Sequence, residues 1–439
     1  MNASPLRAWR ASLLDFADDP RLHEDESRAA RYVADGLLVV RNGKIAAAGP
    51  YSELAATLPA GTIVEDLGGK LLMPGMIDAH VHYPQTDIIA SPASGLLPWL
   101  NTYTFPEEGR FGDPEYAAEV AGFFLDTLLA GGTTTAAVYC TVHPQSADAF
   151  FAQSEKRNTR MIAGKVMMDR HAPDFLLDTA ESGAAQSETL LQRWHGKGRQ
   201  LYALTPRFAP TSTDAQLRLT GELAAAYPDV FIQSHVAENR DEIKWALELF
   251  PGSRSYLDVY ERFGLLRERA VYGHGIWFDD EDRRRMTQTG AVAALCPTSN
   301  LFLGSGLFDF PGADKARMPL AMATDVGGGT SFSLLQTMNE LHKVARMGGT
   351  RLSAVRMFYL ATLGGARALK LDGMIGSFAP GMEADFIALD PQATPLLARR
   401  IARTGALEEL LFAYTMLGGA QAVGGTWIAG ERFVPRGAS

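Results

Sequence analysis

His80 and His82 stand two apart in the run Pro74-Gly75-Met76-Ile77-Asp78-Ala79-His80-Val81-His82, whose apolar pattern predicts a β-strand. Side chains alternate along a strand, so both imidazoles face one side. Two imidazoles on one face are a common start to a metal site, although such pairs also occur in plain cores and on surfaces. Further apolar runs end on groups of the same kind. Val230–Ser234 leads into His235, Val271–Gly273 into His274, and Leu320–Thr324 into Asp325. Each alone reads as well as a core histidine or a helix cap. Together they offer metal-type ligands at several strand ends, which can act in concert only if the fold makes those ends converge.

The elements that must position them alternate. Strand-like runs cover Ile77–His82, Thr133–Tyr139, Arg160–Met168, Leu201–Pro206, Val230–His235, Val271–His274, Ala291–Leu295 and Leu320–Thr324. Helix-like stretches lie between them, among them Pro114–Ala130, Asp214–Ala226, Asn239–Leu249 and Asp280–Thr289. Eight strands alternating with helices predict a parallel (β/α)₈ barrel, a TIM-like α/β fold in which strand ends converge at one mouth. The other fold considered is an open doubly wound sheet; no G-x-G-x-x-G follows an early strand, which weakens its dinucleotide-binding form. Short strands bracket this region. Leu37–Val40, the turn Asn42-Gly43 and Lys44–Ala48 read as a hairpin, with Thr62–Leu67 to follow. Ala384–Leu389, Thr426–Ala429, a turn at Gly430-Glu431 and Arg432–Val434 do the same at the far end. Neither set can bury a core alone, so both are expected in one small β-sandwich domain. The expected division is 1–73 and 373–439 for that domain and 74–372 for the barrel.

Net charge is −9, from 41 Lys+Arg against 50 Asp+Glu, with no long basic run, so nucleic-acid binding is not expected. Two cysteines, Cys140 and Cys296, allow neither a disulfide framework nor a four-Cys zinc site. Met1 to Asp25 lacks the apolar core of a signal peptide, and no uncharged apolar run reaches the roughly 20 residues of a membrane span. A cytoplasmic protein is expected. The zinc deaminase design that uses P-C-x-x-C is excluded, because no C-x-x-C occurs.

On these residues the chain resembles the amidohydrolase superfamily of metal-dependent hydrolases. The resemblance covers nearly the whole chain, down to the closing segment Gly376-Ser377-Phe378-Ala379-Pro380-Gly381-Met382-Glu383-Ala384-Asp385-Phe386. The blocks His82-Tyr83-Pro84-Gln85, Trp99 to Glu108, His235-Val236-Ala237-Glu238 and Cys296-Pro297-Thr298-Ser299-Asn300 look like those of members that deaminate guanine. The resemblance implies metal ligands His80, His82, His235 and Asp325, with His274 close to the metal or ligating it. It implies Glu238, His274 and Asp325 as catalytic groups and Gln85, Arg207 and Phe208 as purine contacts. Binuclear members carry a modified lysine after strand four; here Thr205-Pro206-Arg207 stands there and Lys165 lies on strand three, which favours one metal per subunit. Imidazoles with one carboxylate suit Zn²⁺, with Fe²⁺ as the alternative. A homodimer is implied by analogy alone.

The implied reaction is hydrolysis of guanine to xanthine and ammonia. Glu238 would move a proton from water to the ring nitrogen beside C2, Asp325 would help protonate the departing amine, and His274 would stabilise developing charge. Arg207 has its own argument: a guanidinium fork matches the adjacent acceptors O6 and N7 of guanine, whereas adenine places a donor at O6. Its ordinary alternative is a salt bridge to a carboxylate at the mouth. Other readings stay open on the sequence: a deaminase or chlorohydrolase of another heterocycle (8-oxoguanine, a pterin, a triazine, cytosine), or a scaffold without activity.

Overall fold

The computed structural model describes residues 6–92 and 94–435, so the outermost ends of the expected 1–73 and 373–439 segments lie outside the described residues. Seven strands from both chain ends form one mixed sheet in the order Glu431–Arg432, Val423–Ile428, Phe386–Leu389, Val64–Pro74, Arg7–Phe16, Ala30–Arg41, Lys44–Pro50. The ends meet where Phe386–Leu389 runs antiparallel to Val64–Pro74, with Phe386 opposite Pro74 and Leu389 opposite Leu71. The Asn42-Gly43 hairpin forms as its residues dictate, with φ of 55° and 72°, values natural to Asn and Gly in a tight turn. The second hairpin turns at Ala429-Gly430, one residue earlier than expected. Trp9, Leu38, Leu72, Phe386 and Trp427 cluster together. The alternate residues Leu37 and Val39 pack with Tyr51 and Leu54 of the short helix Tyr51–Leu54. The small β domain expected from both chain ends therefore forms, its seven strands hydrogen-bonded in one mixed sheet with an apolar cluster on each face.

The barrel strands are Met76–His82, Thr133–Tyr139, Arg160–Gly164, Gln200–Pro206, Phe231–Val236, Ala270–His274, Val292–Leu295 and Leu320–Met322, all parallel and paired in sequence order. Closure from last to first runs through Asp325 N–H to His80 O (2.9 Å) and His82 N–H to Val326 O (2.8 Å). Two strands are shorter than expected for local reasons. The third stops at Gly164, where a Cβ would lie 1.8 Å from Ala203 O, and Lys165 then turns its amine to Asp178 (2.5 Å) before Val166–Met167 resumes. The eighth stops at Met322 because Thr324 bonds to Asp78 through both its N–H (3.1 Å) and its hydroxyl.

Helices Pro114–Ala130, Asp214–Ala226 and Asp280–Thr289 form over the expected spans. Asp113, Thr213 and Asp279 cap their first turns. Helix Arg240–Leu249 starts after Asn239, which makes a capping box with Glu242. The C-terminal helix Leu407–Leu417 buries Leu411, Ala413 and Tyr414, and Asn339 donates to its carbonyls at Thr415 and Met416 (3.4 and 3.2 Å). No described helix is long and apolar enough to cross a membrane.

Candidate active site at the barrel mouth

Alternation along Met76–His82 sends Asp78, His80 and His82 to the barrel interior. Asp78 is the anchor. It accepts from His80 N–H (3.2 Å) and Thr324 N–H (3.1 Å), tying the first strand to the end of the eighth. Above it, His82 Nε2 lies 3.3 Å from His80 Nε2 and 3.2 Å from His235 Nε2. Asp325 Oδ1 is 3.3 Å from His80 Nε2 and 3.4 Å from His82 Nε2. These four donor atoms lie within 4.8 Å of one another. His235 Nδ1 donates to Arg207 O at 2.7 Å, so its Nε2 carries a lone pair toward the cluster. Burial pushes the His82 pKa down to about 4 and that of His235 well below the usual range, so both imidazoles are neutral. Burial would raise the Asp325 carboxyl, but His80 and His82 outweigh it and hold the group well below its ordinary range. Three imidazole nitrogens and a carboxylate oxygen crowded this closely fit a divalent cation.

The backbone is strained where these groups are aimed. Ala237, His274 and Asp325 have φ of 49°, 73° and 52°, left-handed values that cost non-glycine residues about 1–3 kcal/mol each. Gly273 is forced by contact: a Cβ there would lie 2.6 Å from His80 Cε1.

Beside the four donors a buried carboxyl and a buried imidazole face each other. Glu238 Oε2 is 3.3 Å from His274 Nε2, and Ser305 donates to Glu238 Oε1 at 3.0 Å. Burial and then the charge of Asp325 push the Glu238 carboxyl up to about 8. His274 Nδ1 donates to Asn300 Oδ1 at 2.9 Å. His274 Nε2 is 3.7 Å from Asp325 Oδ2, which leaves it at the edge of the four donors; it groups instead with His80, Asp325 and the buried Cys296.

A pocket opens over this floor. Gln85, Arg207 and Phe208, all singled out from the sequence, line it together with His82, His235, Glu238, His274 and Asp325. Arg207 Nη1 donates to Glu108 Oε2 at 2.6 Å with both side chains buried, 3% and 1% exposed. The ordinary salt bridge thus exists, and Arg207 still faces the cavity. His143, which follows the second barrel strand, does not line it.

Sequence reasoning missed Glu108, Glu242, Ser305 and Asn300. Glu242 had a readable signal, since Asn239 and Glu242 are spaced as a capping box. Glu108 and Asn300 fell inside blocks quoted for resemblance without a role, and Ser305 carried no signal.

The chain is similar to known proteins over nearly its whole length. Residues 71–432 match the family model described as the amidohydrolase family. Guanine deaminase of Escherichia coli (strain K12) is 46% identical over 426 residues, 97% of each chain. The solved structure of guanine deaminase from Bradyrhizobium japonicum superposes with a TM-score of 0.95 at 37% identity, covering 98% of this chain and 100% of that one. Guanine deaminase from C. acetobutylicum, solved with guanine bound in the active site, superposes with a TM-score of 0.87 at 26% identity, covering 98% and 100%.

Proposed function

The chain belongs to the amidohydrolase family, and on that premise we propose that it hydrolyses guanine to xanthine and ammonia at the mouth of its barrel. The observation that carries this reading is one cavity whose floor holds the four-donor cluster and Glu238 and whose wall presents Arg207 and Gln85. In this reading His80, His82, His235 and Asp325 hold one Zn²⁺ per subunit, with His274 beside it. Bound there, the cation supplies the Lewis acidity that makes water nucleophilic near neutral pH.

The chain's own groups do the rest. Arg207 donates to O6 and N7 of the purine, Gln85 meets another edge, and Phe208 walls the ring. Glu238 takes a proton from the attacking water and delivers it to the ring nitrogen beside C2. A carboxyl with its pKa near 8 is matched to proton transfer at neutral pH. His274, held by Asn300 with Nε2 toward Glu238, accepts a hydrogen bond from that carboxyl while it carries the proton and so steadies it between the two transfers. Asp325 helps move the second proton to the departing amine, which leaves as ammonia.

The test is metal content measured beside ammonia release from guanine, with 8-oxoguanine, cytosine, pterins and triazines in the same panel. About one zinc per chain with guanine preferred supports the reading. Turnover of another ring with none of guanine overturns it. A cytoplasmic location and a homodimer, suggested by the composition and by the family resemblance, belong to the same proposal; sedimentation of the purified protein tests the dimer.

A further inference from the structure

Glu108 touches the two recognition groups without lining the cavity itself. Its Oε2 accepts from Arg207 Nη1 (2.6 Å) and its Oε1 from Gln85 Nε2 (3.0 Å). The other end of the same amide, Gln85 Oε1, accepts Gly327 N–H at 3.1 Å. A carboxylate can only accept and a backbone N–H can only donate. Both neighbours therefore impose one orientation on the Gln85 amide, and a flipped amide would set donor against donor at Gly327. Arg207 is tied at Nη1, and among the described residues that is its one side-chain hydrogen bond; its planar fork is thereby fixed in direction.

We infer that Glu108 is a positioning residue that sets the donor and acceptor order of the recognition wall, and with it the preference for a purine carrying oxygen, not an amino group, at C6. This rests on the proposed deamination of guanine and deepens it. Replacing Glu108 by glutamine keeps size and shape but supplies one acceptor and one donor where two acceptors are needed. If the new oxygen stays with Arg207, the new amide N–H₂ faces Gln85 Nε2. Gln85 must then either lose that bond or turn and set its own N–H₂ against Gly327 N–H.

The recognised edge of the ring is not the reacting one, so it is held alike before and during reaction. Loss of its alignment should raise KM more than it lowers kcat. For Glu108→Gln we expect guanine KM to rise roughly ten- to a hundredfold with kcat within about threefold, the scale of one lost hydrogen bond to a charged group. The preference for guanine over 2,6-diaminopurine, which keeps the reacting 2-amino group but has an amino group at C6, should narrow together with it. Glu107→Gln is the control, because Glu107 pairs with Arg110 and Tyr116 in the same segment. Where Glu108→Gln fails to fold, Glu108→Asp is read in its place: the carboxylate keeps both acceptors on a stem one carbon shorter, so guanine KM should again rise and the preference over 2,6-diaminopurine narrow. An unchanged guanine KM, an equal loss with both purines, or the same change in Glu107→Gln overturns the inference alone. A wild-type enzyme that releases no ammonia from guanine overturns the proposed function and this inference with it.

Discussion

Glu238 Oε2 lies 3.3 Å from His274 Nε2, and Asn300 holds the far nitrogen of that ring at 2.9 Å. With Nδ1 donating to Asn300, Nε2 of the neutral ring can only accept. A protonated Glu238 is thus a ready donor to it, and the pair can pass a proton without moving. Glu238→Gln keeps the shape and removes the proton carrier. It should lower kcat by about 10²–10⁴-fold and leave metal content unchanged. Metal analysis beside single-turnover ammonia release checks this; loss of metal in the variant would mean that Glu238 acts on the cluster and not on the substrate.

The four-donor cluster makes a separate prediction. Dialysis against a strong chelator should abolish ammonia release, and about one equivalent of Zn²⁺ should restore it. The melting temperature should rise on reloading, because a cation that binds only the folded chain stabilises it by mass action. His82→Ala removes the nitrogen that touches both His80 and His235 and should leave the protein folded but without stoichiometric metal. Full activity after complete metal removal would end the metal reading.

In the proposed function Arg207 bears on recognition, and its buried pair with Glu108 bears on stability as well. Arg207→Ala should depress guanine kcat/KM far more than metal content. It also strands the Glu108 carboxylate in a buried site, which should cost about 3–5 kcal/mol in urea unfolding. Pairing Arg207→Ala with Glu108→Ala should recover part of that loss, since no unpaired charge remains. A stability change that is merely additive in the double variant would show that the pair contributes little.

What could be read from the chain and what could not divide along a physical line. The alternation of apolar strands with amphipathic helices is local, and it placed all eight barrel strands within a few residues at each end. Residues at strand ends inherit their position from the strand, so His80, His82, His235, His274 and Asp325 could be picked out before their convergence was visible. The eighth strand was overextended because its end depends on Asp78, 246 residues away. Glu108 lies in a block that carries the resemblance, but its role gave no signal for a related reason. Its partner Arg207 is 99 residues distant and its other partner Gln85 lies 23 residues before it, and no period or motif in the sequence encodes either meeting.

Glu242 links the site to pH. Its Oε2 accepts Glu238 N–H and Asn239 N–H, each at 3.1 Å, so it holds the backbone that carries Glu238. Burial, then the charge of Glu238, pushes its carboxyl from the usual 4.5 up to about 7, against opposing contributions from Tyr256, Asn239 N–H and His274. A folded-state pKa above the unfolded one means the folded chain binds the proton more tightly. The contribution to stability is then greatest below about pH 4.5 and falls as pH climbs to about 7, by about 3 kcal/mol over that window. Glu242→Gln retains an oxygen for both N–H groups and cannot ionise. The variant and the wild type should unfold alike at pH 4.5, and by pH 8 the variant should be the more stable by up to about 3 kcal/mol. Because the bonds to the Glu238 backbone survive, kcat should stay within a few-fold. Urea unfolding at the two pH values decides the matter; a stability difference that does not change with pH would show that Glu242 has the same pKa in the folded and unfolded chain.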